Sequence, residues 1–158
     1  MYERMLVPID GTHSSAAVVP AAAELARRLG TRVDLVLVEP PGGARLPHPE
    51  HHRPIAQRVF ESQVLVPGTA TPQAVRAANE RYVARHVEEF EASGVCADGH
   101  VVCGEAVDEI LRAALAFRSD LIAMTTRKMS NFARYETGSI AEEVVWRSRL
   151  PVLLIAHG

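Results

Sequence analysis

The chain has 158 residues, 47% hydrophobic and 23% charged, the composition of one globular domain rather than of a disordered chain. Its 17 basic residues face 19 acidic ones, for a net charge of −2, which argues against nucleic-acid binding through bulk positive charge. No apolar run approaches the roughly 18 residues of a membrane span, and the N-terminus lacks the layout of a signal peptide. Six residues separate Cys96 from Cys103, so the pair matches neither a disulfide framework nor a CxxC site. A cytoplasmic protein with no membrane and no nucleic-acid partner is expected.

Arg4 to Asp10 is an apolar run that ends at Asp10-Gly11 and reads as a buried strand stopped by a turn. Ser14 to Leu29 reads as an alanine-rich helix closed by Gly30, with Pro20 bending it or marking a late start. Arg32 to Val38 is a second strand. Residues 39–71 hold Pro40, Pro41, Pro47, Pro49, Pro54 and Pro67 with no periodicity, so an irregular and mobile surface loop is expected. Its histidines His48, His51 and His52 have no carboxylate or cysteine pattern beside them and read as solvated rather than metal-ligating.

Thr71-Pro72 pairs a capping hydroxyl with proline at the first helical position. Val75, Ala78, Tyr82, Val83, Val87 and Phe90 follow at helical spacing up to Gly94. His100 to Cys103 reads as a third strand, with Cys103 as a small core residue. Val107, Ile110, Leu111, Ala114 and Leu115 mark the buried face of the next helix. Asp120 to Thr125 is a fourth strand, Ser139 to Glu142 a capping box opening a last helix, and Val152 to Ala156 a fifth strand. This alternation predicts a single α/β domain over residues 1–158, with a five-stranded parallel sheet covered by helices on both faces. Ligands of such sheets bind outside the carboxyl ends of the strands.

The P-loop, the dinucleotide fingerprint GxGxxG, the GxSxG elbow and HExxH are all absent, and no catalytic pair or metal site stands out. Two features point to a ligand. Asp10 at a strand end can accept from an adenine amino group or a ribose hydroxyl, although Asp10-Gly11 also satisfies a turn. Gly138-Ser139 at a helix start offers amides and a dipole end to an anion, although Ser139 also suffices as an N-cap.

The segments MLVPIDGTHSS, VDLVLVEP, GEAVDEILRAA and SDLIAMTTRKMSNFARYETGSIAEEVVWRSRLPVLLI together resemble a universal stress protein domain over essentially the whole chain. The resemblance implies a Rossmann-like five-stranded sheet of the adenine nucleotide alpha hydrolase-like type. It also implies a stress-response or signalling role, commonly as a homodimer, and in many members ATP or a related adenine nucleotide. The nucleotide motif of the family is Gly, two residues, Gly, nine residues, Gly and a small hydroxyl residue. Here Gly138-Ser139 keeps its last pair, while Thr125 and Lys128 replace the first two glycines and Asn131 a third small position. A β-branched and a bulky side chain crowd the approach of phosphates to bare amides. Arg127, Lys128 and Arg134 supply charge instead, unless that stretch is only a solvated surface.

Carried over by resemblance, Asp10 contacts adenine or ribose, Ile9 and Val38 form apolar walls, and Met124 and Thr125 border base and sugar. Lys128, Gly138, Ser139 and Ile140 surround the phosphates, and Gly104 allows close backbone approach. The expected function is a homodimeric signalling module, not an enzyme, with a degenerate site and weak or absent ATP binding. The alternative is a protein that binds ATP or AMP with Mg and hydrolyses ATP slowly. The final strand, 151–156, is expected at a sheet edge, where it pairs with a second copy. A signalling partner is implied but unspecified.

Overall fold

The computed structural model describes residues 1–11, 13–41, 71–127 and 140–157. Its elements in chain order are β1 (Arg4–Ile9), α1 (His13–Ala16), α2 (Val18–Leu29), β2 (Arg32–Glu39), α3 (Pro72–Ala92), β3 (Ala97–Cys103), α4 (Ala106–Ala116), β4 (Leu121–Arg127), α5 (Ile140–Arg147) and β5 (Val152–His157). The five strands form one parallel sheet in the order β3-β2-β1-β4-β5. Most of the predicted 39–71 loop, with its three histidines, lies outside the described residues.

Side-chain alternation along the strands builds two cores. Met5, Val7, Ile9, Val33, Leu35, Leu37, Leu121 and Ala123 face one side, covered by Val18, Val19, Ala22, Ala23 and Ala26 of α2 and by Val83 and Phe90 of α3. Leu6, Val36, Ile122 and Met124 face the other, covered by Val107, Ile110, Ala113 and Ala114 of α4 and by Ala141 and Val144 of α5. The strand order reverses between β1 and β4, the point at which sheets of this kind take ligands in a crevice outside the carboxyl ends of the strands.

Local chemistry explains the boundaries. Pro20 falls in the first turn of α2, and the chain breaks between α1 and α2 at Ala17, so the proline marks a late start. The Thr71 hydroxyl accepts from Ala74 N at 3.2 Å and caps α3. After α3, Val95 N donates to Phe90 O and Gly94 N to Glu91 O, while Val95 and Phe90 meet in the core. This is the hydrogen-bonded stop that favours a left-handed residue, and Gly94 supplies it at φ 78°.

Several expectations are corrected. Leu115 is 81% exposed, because five residues after Ile110 it has rotated off the buried stripe that Ala113 and Ala114 continue. Cys103 is exposed rather than a core residue, because β3 is the outer strand of the sheet among the described residues. β3 begins three residues earlier than expected, since Val33 N bonds Cys96 O and the ladder with β2 starts there. β4 runs on to Arg127, because β5 accompanies it as far as His157. As expected, β5 is an edge strand.

Candidate functional site at the carboxyl ends of β1 and β4

Asp10 follows the last residue of β1 and is exposed, while Ile9 before it is 4% exposed. The Asp10 amide donates to Ser15 Oγ at 3.1 Å, which ties the strand end to the first helical turn. Gly11 turns the chain at φ 81°, a conformation that a side chain opposes although space for a Cβ exists 3.9 Å from Leu37. Ile9 therefore belongs to the first core, and Asp10 is the exposed polar residue that follows it at the strand end.

Across β2, Val38 is half-buried and packs with the second core. Glu39 next to it has a side chain only 12% exposed. Its carboxylate accepts from Asn79 Nδ2 at 2.9 Å and faces Arg76 Nη1 at 3.5 Å, while its carbonyl accepts from Gly104 N at 2.9 Å. Arg76 also donates through Nη2 to Val101 O at 2.8 Å. These bonds clamp the first half of α3 onto the carboxyl ends of β2 and β3.

Gly104 does not stand open. A Cβ there would lie 2.6 Å from Glu109 Cγ and 2.7 Å from its Oε1. The carboxyl of Glu109, paired with Arg112, already fills the space beside this glycine and is hostile to a phosphate. Asp108 and Glu109 in the first turn of α4 suit the helix dipole themselves.

On β4, Met124 is 6% exposed and belongs to the second core, so only its backbone can border a ligand. Thr125 is half-buried and pairs with Ile155, inside the strand rather than at its end. Two consecutive β-branched threonines, Thr125 and Thr126, favour strand where glycines would release the chain. Ile140 opens α5 and packs half-buried on the second core. Lys128, Gly138 and Ser139, and with them the basic loop and the capping serine, lie outside the described residues.

One residue near the site was read from the sequence only as part of an amphipathic helix. Tyr82 of α3 packs on the first core, against which its burial and then the charge of Asp10 push the phenol up to about 12. Arg85 sits over its ring at 5.5 Å from the centroid. Glu39, Asn79 and Arg76 were not singled out either. The spacing of Arg76, Asn79 and Tyr82 places them on one helix face, but only the fold reveals that this face meets the strand ends. Among the described residues, no cluster of three or more His, Cys, Asp or Glu could hold a metal, and no helix is long and apolar enough to cross a membrane.

A parallel sheet whose strand order reverses between β1 and β4 defines a doubly wound α/β protein. A sequence profile described as the universal stress protein family matches residues 1–156. The chain belongs to the universal stress protein family. No curated protein sequence matches it. Among solved structures, the hypothetical protein MJ0577, studied for structure-based assignment of its biochemical function, is 20% identical with a TM-score of 0.72, covering 100% of this chain and 98% of its own. A universal stress protein in complex with cAMP is 21% identical with a TM-score of 0.62, covering 99% and 98%. The universal stress protein from Archaeoglobus fulgidus in complex with dAMP is 20% identical with a TM-score of 0.61, covering 98% and 98%. At these identities the likeness establishes the fold.

Proposed function

We propose that this protein is a homodimeric signalling module of the universal stress protein family. It responds to an adenine nucleotide by binding rather than by catalysis, and it holds the nucleoside end better than the phosphate end. The observation that carries this reading is the contrast between the two halves of the crevice. The nucleoside half keeps an exposed, backbone-anchored Asp10 at the strand end, with Ile9 and Val38 in the cores on the two faces of the sheet. The phosphate half has Thr125 inside a strand, Lys128 for the second glycine, and the Glu109 carboxyl beside Gly104.

Each added phosphate therefore brings charge without a glycine cradle, and AMP-type ligands gain on ATP. Relatives of the same fold crystallised with cAMP and dAMP support a monophosphate ligand. Lys128, Gly138, Ser139 and Ile140 remain the residues to hold the phosphate, and ATP with Mg is the weaker ligand. The protein works without crossing a membrane, in the cytoplasm.

Calorimetric titration of nucleotide-free protein with AMP and with ATP plus magnesium tests the reading. Saturable AMP binding that Asp10→Ala weakens, with ATP no tighter, is expected. Absence of binding by both, or ATP binding ten times tighter than AMP, overturns it.

The dimer is proposed through residues 151–156 of the edge strand β5, whose Leu154 is 40% exposed. An apolar outer strand left unpaired is a template for another chain. Light scattering should give twice the 17.2 kDa chain mass, and Leu154→Asp should return the monomer.

A further inference from the structure

β5 is one edge of the sheet, and β3 is the outer strand on the other side among the described residues. The ladder with β2 fixes which way the backbone groups of β3 point. Val33 N donates to Cys96 O and Gly104 N to Glu39 O, so the even-numbered residues of β3 turn their N–H and C=O toward β2. Ala97, Gly99, Val101 and Cys103 therefore turn theirs outward. On this outer side, Val83, Ala84 and Val87 of α3 line a groove together with Gly99 and Val101. Outward backbone groups beside an apolar groove are a template for an added strand.

Arg76 stands in the way. Its Nη2 donates to the outward carbonyl of Val101 at 2.8 Å. Glu39, with a side chain only 12% exposed, lies 3.5 Å from its Nη1, and Glu80 accepts from its Nε at 3.2 Å. Two carboxylates thus hold the guanidinium in place. A strand pairing with β3 would run about 4.8 Å from it, and a guanidinium bonded to an edge carbonyl occupies that lane. Between Arg76 and the start of β3 only Ala97 and Gly99 still face outward, too short a stretch beside strands of roughly three residues or more.

We propose that Arg76 is an edge guard, which closes β3 to pairing with a second copy of this chain and leaves β5 as the edge on which copies meet. With both edges open, copies would join β5 to β3 head to tail and build open chains, whereas with β3 closed the assembly ends at a two-fold pair. The closing of β3 does not rest on the dimer reading above; only the stop at two copies does.

The test is sedimentation velocity and light scattering over a dilution series at physiological salt, which screens Glu80 and Glu88 in the groove. Circular dichroism and thermal melting check that each variant is folded. Arg76→Ala should gain mass with concentration and reach at least about twice the wild-type mass, because the opened edge admits a further copy. Arg76→Gln, whose shorter side chain clears the lane but still faces Glu39 and Glu80, should do the same. Asn79→Ala loosens the same part of α3 from Glu39 but keeps Arg76 on Val101, so it should match the wild type. Adding Val101→Pro to Arg76→Ala removes an outward N–H that the ladder with β2 does not use and should abolish the gain. Leu154→Asp with Arg76→Ala should still associate, through β3. Folded Arg76→Ala or Arg76→Gln with the wild-type mass at every concentration overturns the proposal. So does equal association by Asn79→Ala, or loss of the gain on adding Leu154→Asp, which would place the new contact at β5. A monomeric wild type removes the dimer reading, while a gain by Arg76→Ala over that monomer still upholds the guard.

Discussion

Arg4 grips both carboxylate oxygens of Asp34, with Nε at 3.0 Å from Oδ2 and Nη2 at 2.8 Å from Oδ1, and Asp34 is only 1% exposed. The two residues stand diagonally on β1 and β2, so this fork joins the central strands at the end of the sheet away from the crevice. His100 of β3 brings Nε2 to 3.6 Å from the same carboxylate and stacks on Phe117 at 4.2 Å. Removing the arginine leaves a buried charge with a poor partner. Arg4→Ala should cost about 2–3 kcal/mol in urea unfolding, below the largest losses of this kind because Arg4 is 35% exposed and solvent already screens it. Replacing both partners with apolar residues, Arg4→Met with Asp34→Leu, should recover most of that loss. Nucleotide affinity should not change in either variant.

Gly99 lets α3 lie close to the edge of the sheet. A Cβ there would come within 2.5 Å of Val83 Cγ1 and 2.9 Å of Val87 Cγ2, both on stiff β-branched side chains. Gly99→Ala should destabilise by about 1–3 kcal/mol through overpacking. Val83→Ala in the same chain should restore part of it, a coupling that a double-mutant cycle in thermal or denaturant unfolding would measure.

Arg118 ends α4 in the left-handed conformation, at φ 54°, as the only non-glycine residue at positive φ among those described. The stop has the same form as that after α3, with Ser119 N bonded to Ala114 O and Arg118 N to Leu115 O. Arg118→Gly removes the Cβ penalty and should raise stability by about 0.5–1 kcal/mol. A higher midpoint of unfolding at unchanged slope would show it.

The Tyr82 phenol is pushed up to about 12 by burial first and by Asp10 second, above its value of 10.0 in the open chain. The folded protein thus keeps a proton that the unfolded chain releases between pH 10 and 12. Stability from this group is fully present below pH 10 and is lost as pH rises through 12. The loss should be about 1–2 kcal/mol, reduced from the full shift because the ring is partly solvated. Unfolding free energies of Tyr82→Phe and wild type, compared from pH 8 to 11.5, should converge as the pH rises.

Much of the architecture was legible because it rests on local rules. Thr71-Pro72 started a helix and Gly30 and Gly94 ended helices, each by satisfying helix-end groups within a few residues. The position of Asp10 at a strand end followed from an apolar run meeting a glycine turn. The misreadings fell where neighbours in space decide. Cys103 was assigned to a core by its place at the end of an apolar strand, but β3 is outermost and leaves it exposed. Thr125 was placed at a strand end, but the ladder with β5 carries β4 two residues further.

By itself the sequence determined the alternation of strands and helices, the parallel sheet, the family, and the departure of Thr125 and Lys128 from glycine. These depend on periodicity, capping and residue identity, which act within a few residues along the chain. Only the tertiary structure decided that Glu109 fills the space at Gly104, that Glu39 binds Asn79 and faces Arg76, and that Tyr82 shares its surroundings with Asp10. The partners in the last two cases lie 40, 37 and 72 positions apart, and no local energy couples them. Burial of the apolar faces of α3 against β2 and β3 fixes where the helix sits, and its polar residues meet the strand ends as a consequence.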